Sequence, residues 1–450
     1  MALPYLAPIT PCLPGLVSRF STDPQQFRFA PMQILFIHQN FPGQYRHLAT
    51  ALRQQGHSVA AIGGPTAKEV LEGVSLHRYN PMPSTGVPPC HPLAADFQTK
   101  VLRAEAVARQ LQSLLAAGFR PDLIVGHPGW GELLLVKDLL PEVPVLHQVE
   151  FVYQLQGGDT DFDPEFPQDN WRDRSRLRLR RSPQLLAFHD LTWGLAPTRW
   201  QASTAPAQFR DRLSVIHEGI DTVQIAPRPG SLVQLQKAGL TLRPGDEVVT
   251  FVARNLEPYR GFHRFMRMLP QLQALRPTAQ VVILGGDGVS YGSPPPDGQR
   301  TWKQQLLQEL EGQLDRSRIH FVGPVPHPVL HDLFRVSACH VYLTYPFVLS
   351  WSLLEAMACE ALIVGSATAP VQEVIEPGVN GLLVDFFDGD ALATTIAAVL
   401  ADPAAHRPLR QRARRTVVER FDLHSHCLPA QLALVDTLLQ GRLPDPEPLG

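Results

Sequence analysis

Arg254 and Arg260 stand six residues apart, one at the end of an apolar run and one in the turn that follows. Two cations at that spacing can clamp a diphosphate from two sides and hold the charge that develops on a departing phosphate. Further along, Tyr345-Pro346-Phe347-Val348-Leu349 leads into a helix that the spacing predicts to begin near Ser350 and Trp351. Its N-terminus offers unpaired N–H groups and the positive end of a dipole, which suits an anion. Glu355 falls about one turn inside, where a carboxylate reaches a ligand's hydroxyls. His127 closes the apolar run Leu123–Gly126, a place where open α/β sheets bind ligands and where a histidine can equally bond a neighbouring loop. Gly43 lies in a turn after Met32–Asn40, bringing backbone close to a ligand or simply packing strand on helix.

Such groups need strands that end at one edge. The chain supplies two series of strand, turn and helix. Met32–Asn40, Tyr45–Gln55 and Ser58–Ile62 read as a βαβ unit, followed by a helix over Lys100–Ala117 and strands over Pro121–His127, Pro144–Val149 and Leu191–Ala196. A helix is expected over Glu132–Leu140. The second series runs from Glu247–Arg254 through a helix containing Phe265, Met268 and Leu272, then Gln280–Leu284, Arg318–Val322, His340–Tyr345 and Ala361–Gly365. The fold class is therefore α/β, with two doubly wound, Rossmann-like domains facing across a cleft. We place a poorly ordered extension at 1–31, an N-terminal domain at 32–226, a linker at 227–246 and a C-terminal domain at 247–422. A terminal helix is expected over 423–440 and a disordered tail at 441–450.

These residues resemble family 4 glycosyltransferases, retaining enzymes of the two-domain GT-B type that use nucleotide-activated sugars. The stretch Leu353-Leu354-Glu355-Ala356-Met357-Ala358 is similar to the end of that family's paired-glutamate motif, and His217-Glu218-Gly219-Ile220-Asp221 to the motif entering its hinge. Of the paired glutamates, only the second is present, as Glu355; the first position holds Phe347. The later Gly-Gly-x-x-Glu pattern keeps only Glu373, and the family's Arg–Lys pair appears as Arg254 and Arg260.

The resemblance implies a donor held by the second domain and an acceptor by the first. Glu355 would hold ribose hydroxyls, Ser350 and Trp351 the phosphate, and Arg254 and Arg260 the leaving diphosphate. Gly285 and Gly286 would face the donor, Val325 would meet the nucleobase through its backbone, and Glu373 would orient the turn above the donor. His127 would lie near the transferred sugar, and Gly43 would face the cleft. No metal and no cofactor is required, the nucleoside-diphosphate sugar being a co-substrate; the acceptor is a glycan, a lipid or a small molecule. Three explanations of Phe347 stay open. A subgroup holding the sugar otherwise ranks first, ahead of a different donor and a silent chain. A nucleotide-sugar-binding partner protein and a sugar-nucleotide epimerase of the same architecture are the alternative functions.

Composition narrows the classes. The chain has 450 residues, too many for one ordinary core, with 44% hydrophobic and 18% charged residues. A formal net charge of −2 gives no footprint for nucleic acid. The five cysteines (12, 90, 339, 359 and 427) form no close pair, which speaks against a disulfide framework or zinc site and for a reducing compartment. The expected location is cytoplasmic, with peripheral contact at the inner face of a membrane through the basic run 171–181, Trp171 to Arg181. That run also reads as a solvated helix face. Gly285-Gly286-Asp287-Gly288 departs from a dinucleotide fingerprint, because Val289-Ser290-Tyr291 and a proline-rich loop intervene before the next helix. Asp159, Asp161 and Asp163 alternate, but Pro164 and Asn170 occupy the places where a calcium loop needs Gly and Glu.

Overall fold

The computed structural model describes residues 31–446 except 68, 83–85, 87, 88, 155 and 169. The expected 1–31 extension therefore lies, but for its last residue, outside the described residues, as does the end of the 441–450 tail. Two parallel sheets organise the rest. The first is built from β1 (Gln33–Ile37), α1 (Arg46–Gln54), β2 (Ser58–Gly63), β3 (Ser75–Arg78), α2 (Ala95–Ala116), β4 (Leu123–Gly126), α3 (Val136–Leu139), β5 (Val145–Gln148), α4 (Trp171–His189), β6 (Trp193–Ala196), α5 (Arg199–Ser203) and β7 (Leu213–Val215). Its strand order is β3-β2-β1-β4-β5-β6-β7. β1 and β4 are nearly all buried apolar residues because both faces of a parallel sheet are covered by helices.

A short antiparallel hairpin follows, β8 (Val233–Leu235) and β9 (Leu240–Leu242). It lies within the expected 227–246 linker, yet Val233 and Leu242 are buried with Val248, Val282 and Leu333 of the second lobe. Three-residue strands carry too little alternation to be read from sequence. The second sheet comprises β10 (Val248–Asn255), α6 (Phe262–Leu275), β11 (Gln280–Gly286), α7 (Trp302–Glu309), β12 (Ile319–Phe321), α8 (His327–Val336), β13 (Cys339–Tyr342), α9 (Trp351–Ala358), β14 (Ile363–Ser366), α10 (Ala369–Gln372) and β15 (Leu382–Val384). Its order is β12-β11-β10-β13-β14-β15. α11 (Gly389–Ala401), α12 (Arg407–Phe421) and α13 (Leu428–Leu439) complete the chain.

Each sheet reverses its winding once, between β1 and β4 and between β10 and β13. A crevice opens at the carboxyl ends of the strands at such a switch point. The crossings between lobes run side by side, with Ile220 N–H donating to Phe421 O at 2.8 Å and Leu423 N–H to Ile220 O at 2.9 Å. α13 then returns Leu434, Val435 and Leu438 to the first lobe's core. A turn replaces the first half of the helix expected over Glu132–Leu140. There Glu132 and Leu133 are buried, and Glu132 accepts from the Tyr79 hydroxyl at 2.7 Å, a distant partner that local periodicity does not reveal. Among the described residues no helix is long and apolar enough to cross a membrane.

Candidate active site in the cleft

Three histidines follow three strands of the first sheet in the same way. The Nδ1 of His38, after β1, accepts the N–H of Asn40 at 3.3 Å; that of His127, after β4, accepts Gly129 N–H at 3.0 Å; that of His217, after β7, accepts Gly219 N–H at 3.0 Å. With Nδ1 occupied as an acceptor, the neutral ring carries its proton on Nε2. Burial pushes His38 and His217 down to about 4, so both are neutral donors near pH 7. The His38 and His127 rings meet edge-on at 6.3 Å. Gly43 is held at φ +48°, and a Cβ there would come within 3.1 Å of the His38 ring. Its turn therefore lies directly against His38.

Two carboxylates face those donors. His127 Nε2 is 3.3 Å from Glu150 Oε2, and His217 Nε2 is 3.5 Å from Glu218 Oε2. Burial would raise Glu150, but His127, His38 and Arg260 together hold it below its ordinary value. Glu218 goes the other way, pushed up to about 7 by burial and by the neighbouring Glu150. It accepts from Gln148 at 3.0 Å and from Trp351 Nε1 of the other lobe at 3.2 Å.

In the second lobe, Gly261 at φ +68° lets the turn before α6 touch the chain leaving β13; a Cβ would lie 2.3 Å from Leu343 Cβ. That contact sets the buried Arg260 beside the approach to α9. Its guanidinium donates to Thr344 Oγ1 at 3.0 Å, Val348 O at 2.9 Å and the Tyr342 hydroxyl at 3.5 Å. The Tyr342 hydroxyl also accepts Ser350 N–H at 2.8 Å, and the Ser350 side chain caps α9 at Ser352. Arg260 and the α9 N-terminus thus form one hydrogen-bonded unit. Arg254 is separate from it. It is exposed near the end of β10, and its side chain forms no hydrogen bond or ion pair among the described residues.

Glu355 is buried in α9, with His331 Nε2 at 3.6 Å and His327 Nδ1 at 4.0 Å. Val325 is half-buried just before α8, which carries both histidines. One ligand atom from each of His327, His331 and Glu355 lies within 4.8 Å of the others, a set that could hold a divalent ion. A second set, Asp163, Glu165 and His263, is already neutralised by Arg264 and Arg267.

Phe347 is buried against Phe151 at 4.9 Å, Tyr291 at 4.8 Å and Tyr259 at 5.5 Å between ring centres, with the Arg260 guanidinium 5.5 Å away. Tyr291 is held there by Glu257, whose buried carboxylate accepts the N–H groups of Ser290, Tyr291 and Gly292 at 2.9–3.2 Å. Gly285 and Gly286 sit under the same loop; side chains there would meet Leu256 and Asn255.

Phe151 belongs to the first lobe and continues as a strap into the second. Asp159 accepts from the Tyr259 hydroxyl at 2.8 Å, and Asp163 bonds His263 and Tyr345 at 2.9 Å and Arg264 at 3.1 Å. Phe162 packs on Tyr345, Phe386 and Phe387, and Phe166 on His263 and Trp302. The alternating aspartates are thus interlobe anchors. Glu373 is likewise engaged between lobes, accepting the N–H groups of Arg199 and Trp200 at 2.8 and 2.7 Å at the start of α5. Sequence reasoning missed Glu150, Glu218, Glu257 and both anchoring aspartates. Glu150 alone carried a usable signal, since it follows a strand just as His127 does.

Comparison with known proteins agrees with this arrangement. The family description "Glycosyl transferase family 4 group" matches residues 55–225, and "Glycosyl transferases group 1" matches residues 234–416. A D-inositol 3-phosphate glycosyltransferase of Kribbella flavida is 26% identical over 362 residues, 78% of each chain. One from Mycolicibacterium gilvum is 29% identical but aligns with only 43% of this chain and 40% of its own length. Among solved structures, sucrose-phosphate synthase from Thermosynechococcus elongatus superposes with a TM-score of 0.68 at 20% identity, covering 91% of this chain and 99% of that one. Anabaena HepE in complex with UDP-glucose superposes with a TM-score of 0.63 at 18% identity, covering 90% and 100%. The chain belongs to the family 4 glycosyltransferases and has their two-lobed GT-B fold.

Proposed function

We propose that this glycosyltransferase moves a sugar from a nucleoside-diphosphate sugar to a hydroxyl of a glycan, lipid or small-molecule acceptor, with retention at the anomeric carbon. The observation that carries the reading is the bonded unit of Arg260, Tyr342 and Ser350 at the second switch point, facing His127 and Glu150 at the first. In the reaction the acceptor oxygen bonds to the anomeric carbon. The bond from that carbon to the diphosphate breaks, its electron pair leaves on the phosphate oxygen, and the acceptor hydroxyl's proton passes to that departing diphosphate. Arg260 and the α9 N-terminus stabilise that charge in a largely dry cleft, where fixed cations act most strongly. Arg254, exposed at the rim, closes on the diphosphate when donor binds. Glu355 takes the ribose hydroxyls, and Val325 borders the base.

The related HepE was crystallised with UDP and with UDP-glucose, which supports a nucleotide-sugar donor. This reading needs no metal, because positive charge comes from Arg260 and the helix dipole. α4 exposes Trp171, Arg172, Arg176 and Arg178 toward solvent, a face suited to anionic lipid at a membrane surface. Incubation with a panel of nucleotide sugars and hydroxyl acceptors, read by mass spectrometry, tests the function. Transfer of one sugar with release of nucleoside diphosphate is expected. Binding without turnover would instead make the chain a nucleotide-sugar-binding partner, and free nucleotide released without an acceptor would indicate epimerase-like chemistry.

A further inference from the structure

The first lobe holds a carboxylate that the roles above leave unused. Glu150 follows β5, and its backbone is fixed on both sides. Its carbonyl accepts from Gln201 Nε2 at 2.7 Å, the Phe151 carbonyl accepts from Gln184 Nε2 at 2.8 Å, and Val152 N–H donates to Thr204 Oγ1 at 3.0 Å. The Glu150 side chain, by contrast, is 37% exposed and makes no full hydrogen bond; its contact is His127 Nε2 at 3.3 Å. That nitrogen is buried and without a hydrogen-bond partner of good geometry. Its proton is aimed into the cleft because Nδ1 is occupied by Gly129 N–H. A rigid backbone, an open carboxylate and a buried donor without a good partner are the parts of a preorganised polar site.

Phe347 explains why the carboxylate stands here. A phenyl ring at that position accepts no hydrogen bond, and it is closed off by Phe151, the residue next to Glu150. Glu150 and Phe151 are consecutive, their Cα atoms about 3.8 Å apart, so the carboxylate is carried by the residue adjoining the one that abuts Phe347. Glu150 also feels the charge of Arg260 across the cleft. The Arg260 guanidinium lies 5.5 Å from the Phe347 ring, which meets Phe151 at 4.9 Å, so the acidic residue's neighbour and the cation flank the same ring from opposite lobes.

We propose that Glu150 is a catalytic residue of the transfer, its carboxylate oriented by His127 and accepting a hydrogen bond from a substrate hydroxyl in the space facing Arg260. The first lobe thereby supplies the acceptor oxygen that Phe347 cannot. The hydroxyl belongs either to the donor's sugar or to the acceptor, and kinetics separate the two. The proposal rests on the transferase reading, and the test keeps their failures apart.

The experiment compares Glu150→Gln and Glu150→Asp with the unaltered chain, using the donor found in the panel. Thermal unfolding and calorimetric affinity for the free nucleoside diphosphate control for folding and for the donor lobe; both are expected to be unchanged. Transfer by Glu150→Gln is expected to fall about 10- to 100-fold, the range for losing a hydrogen bond to a charged group, with partial recovery in Glu150→Asp. A matching rise in donor KM with slower donor hydrolysis assigns the sugar's hydroxyl; unchanged hydrolysis with lost transfer assigns the acceptor's. Transfer by Glu150→Gln at the unaltered rate overturns the role of Glu150 and leaves the transferase reading standing. If the unaltered chain consumes no nucleotide sugar, both fall.

Discussion

Phe347 shares its pocket with Phe151, Tyr259 and Tyr291, and aromatic pairs of this kind add about 0.5–1.5 kcal/mol each beyond the area they bury. Restoring a glutamate there removes the rings' partner and buries a carboxylate among them. Phe347→Glu should therefore lower stability by at least about 3 kcal/mol in denaturant unfolding and should not raise activity; an equally stable, faster variant would refute the packing role. Glu218 predicts a pH effect. Its folded pKa of about 7 lies above the ordinary 4.5, so its contribution to stability is complete below about 4.5 and is lost as pH rises through about 7. Glu218→Gln should flatten that decline in unfolding midpoints measured across the same range. At this scale the place of His127 after β4 was legible, because a strand's end announces where a side chain faces. Glu150 and Phe347 were not, since their partners lie on the opposite lobe and no local spacing encodes them.

The strap from Phe151 to Phe166 is one of the elements that join the lobes, and Asp163 is its main anchor. Burial would raise Asp163, yet bonds from His263, the Glu165 N–H and Tyr345 outweigh it and hold the carboxyl well below its ordinary value. Such a group stabilises the fold above the unfolded carboxylate pKa, about 3.9, and that stabilisation is lost as pH falls below it. Asp163→Asn should cost about 3 kcal/mol at neutral pH, because the buried His263 loses its charged hydrogen-bond partner and the half-buried Arg264 its anion; a change under 1 kcal/mol would remove the strap from the stability of the fold. At α5, Glu373→Ala should cost about 1 kcal/mol and speed hydrogen exchange at the Arg199 and Trp200 amides. Unchanged exchange would show that the cap is incidental. The parallel strands were readable from their continuous apolar runs. The β8–β9 hairpin and the strap were not, because their structure comes from tertiary burial of a few side chains.

The whole molecule is two doubly wound lobes with their switch points opposed, joined by the strap, the paired crossings at Ile220 and Asp422, and the return of α13. The two-lobed α/β fold could be read from the alternation of strands and helices, together with the family resemblance carried by residues 353–358 and 217–221. The closed contact between lobes could not, since it depends on pairs about 100 or more residues apart, such as Tyr259 with Asp159 and Tyr345 with Asp163. The proposed function places the nucleotide on the second lobe, at Glu355 and the α9 N-terminus. Calorimetric titration with nucleoside diphosphates addresses this without knowledge of sugar or acceptor. Saturable one-to-one binding is expected for at least one base, weakened about tenfold or more in a folded Glu355→Ala variant. Binding of no nucleoside diphosphate, or equal binding by that variant, would contradict a donor site at α9.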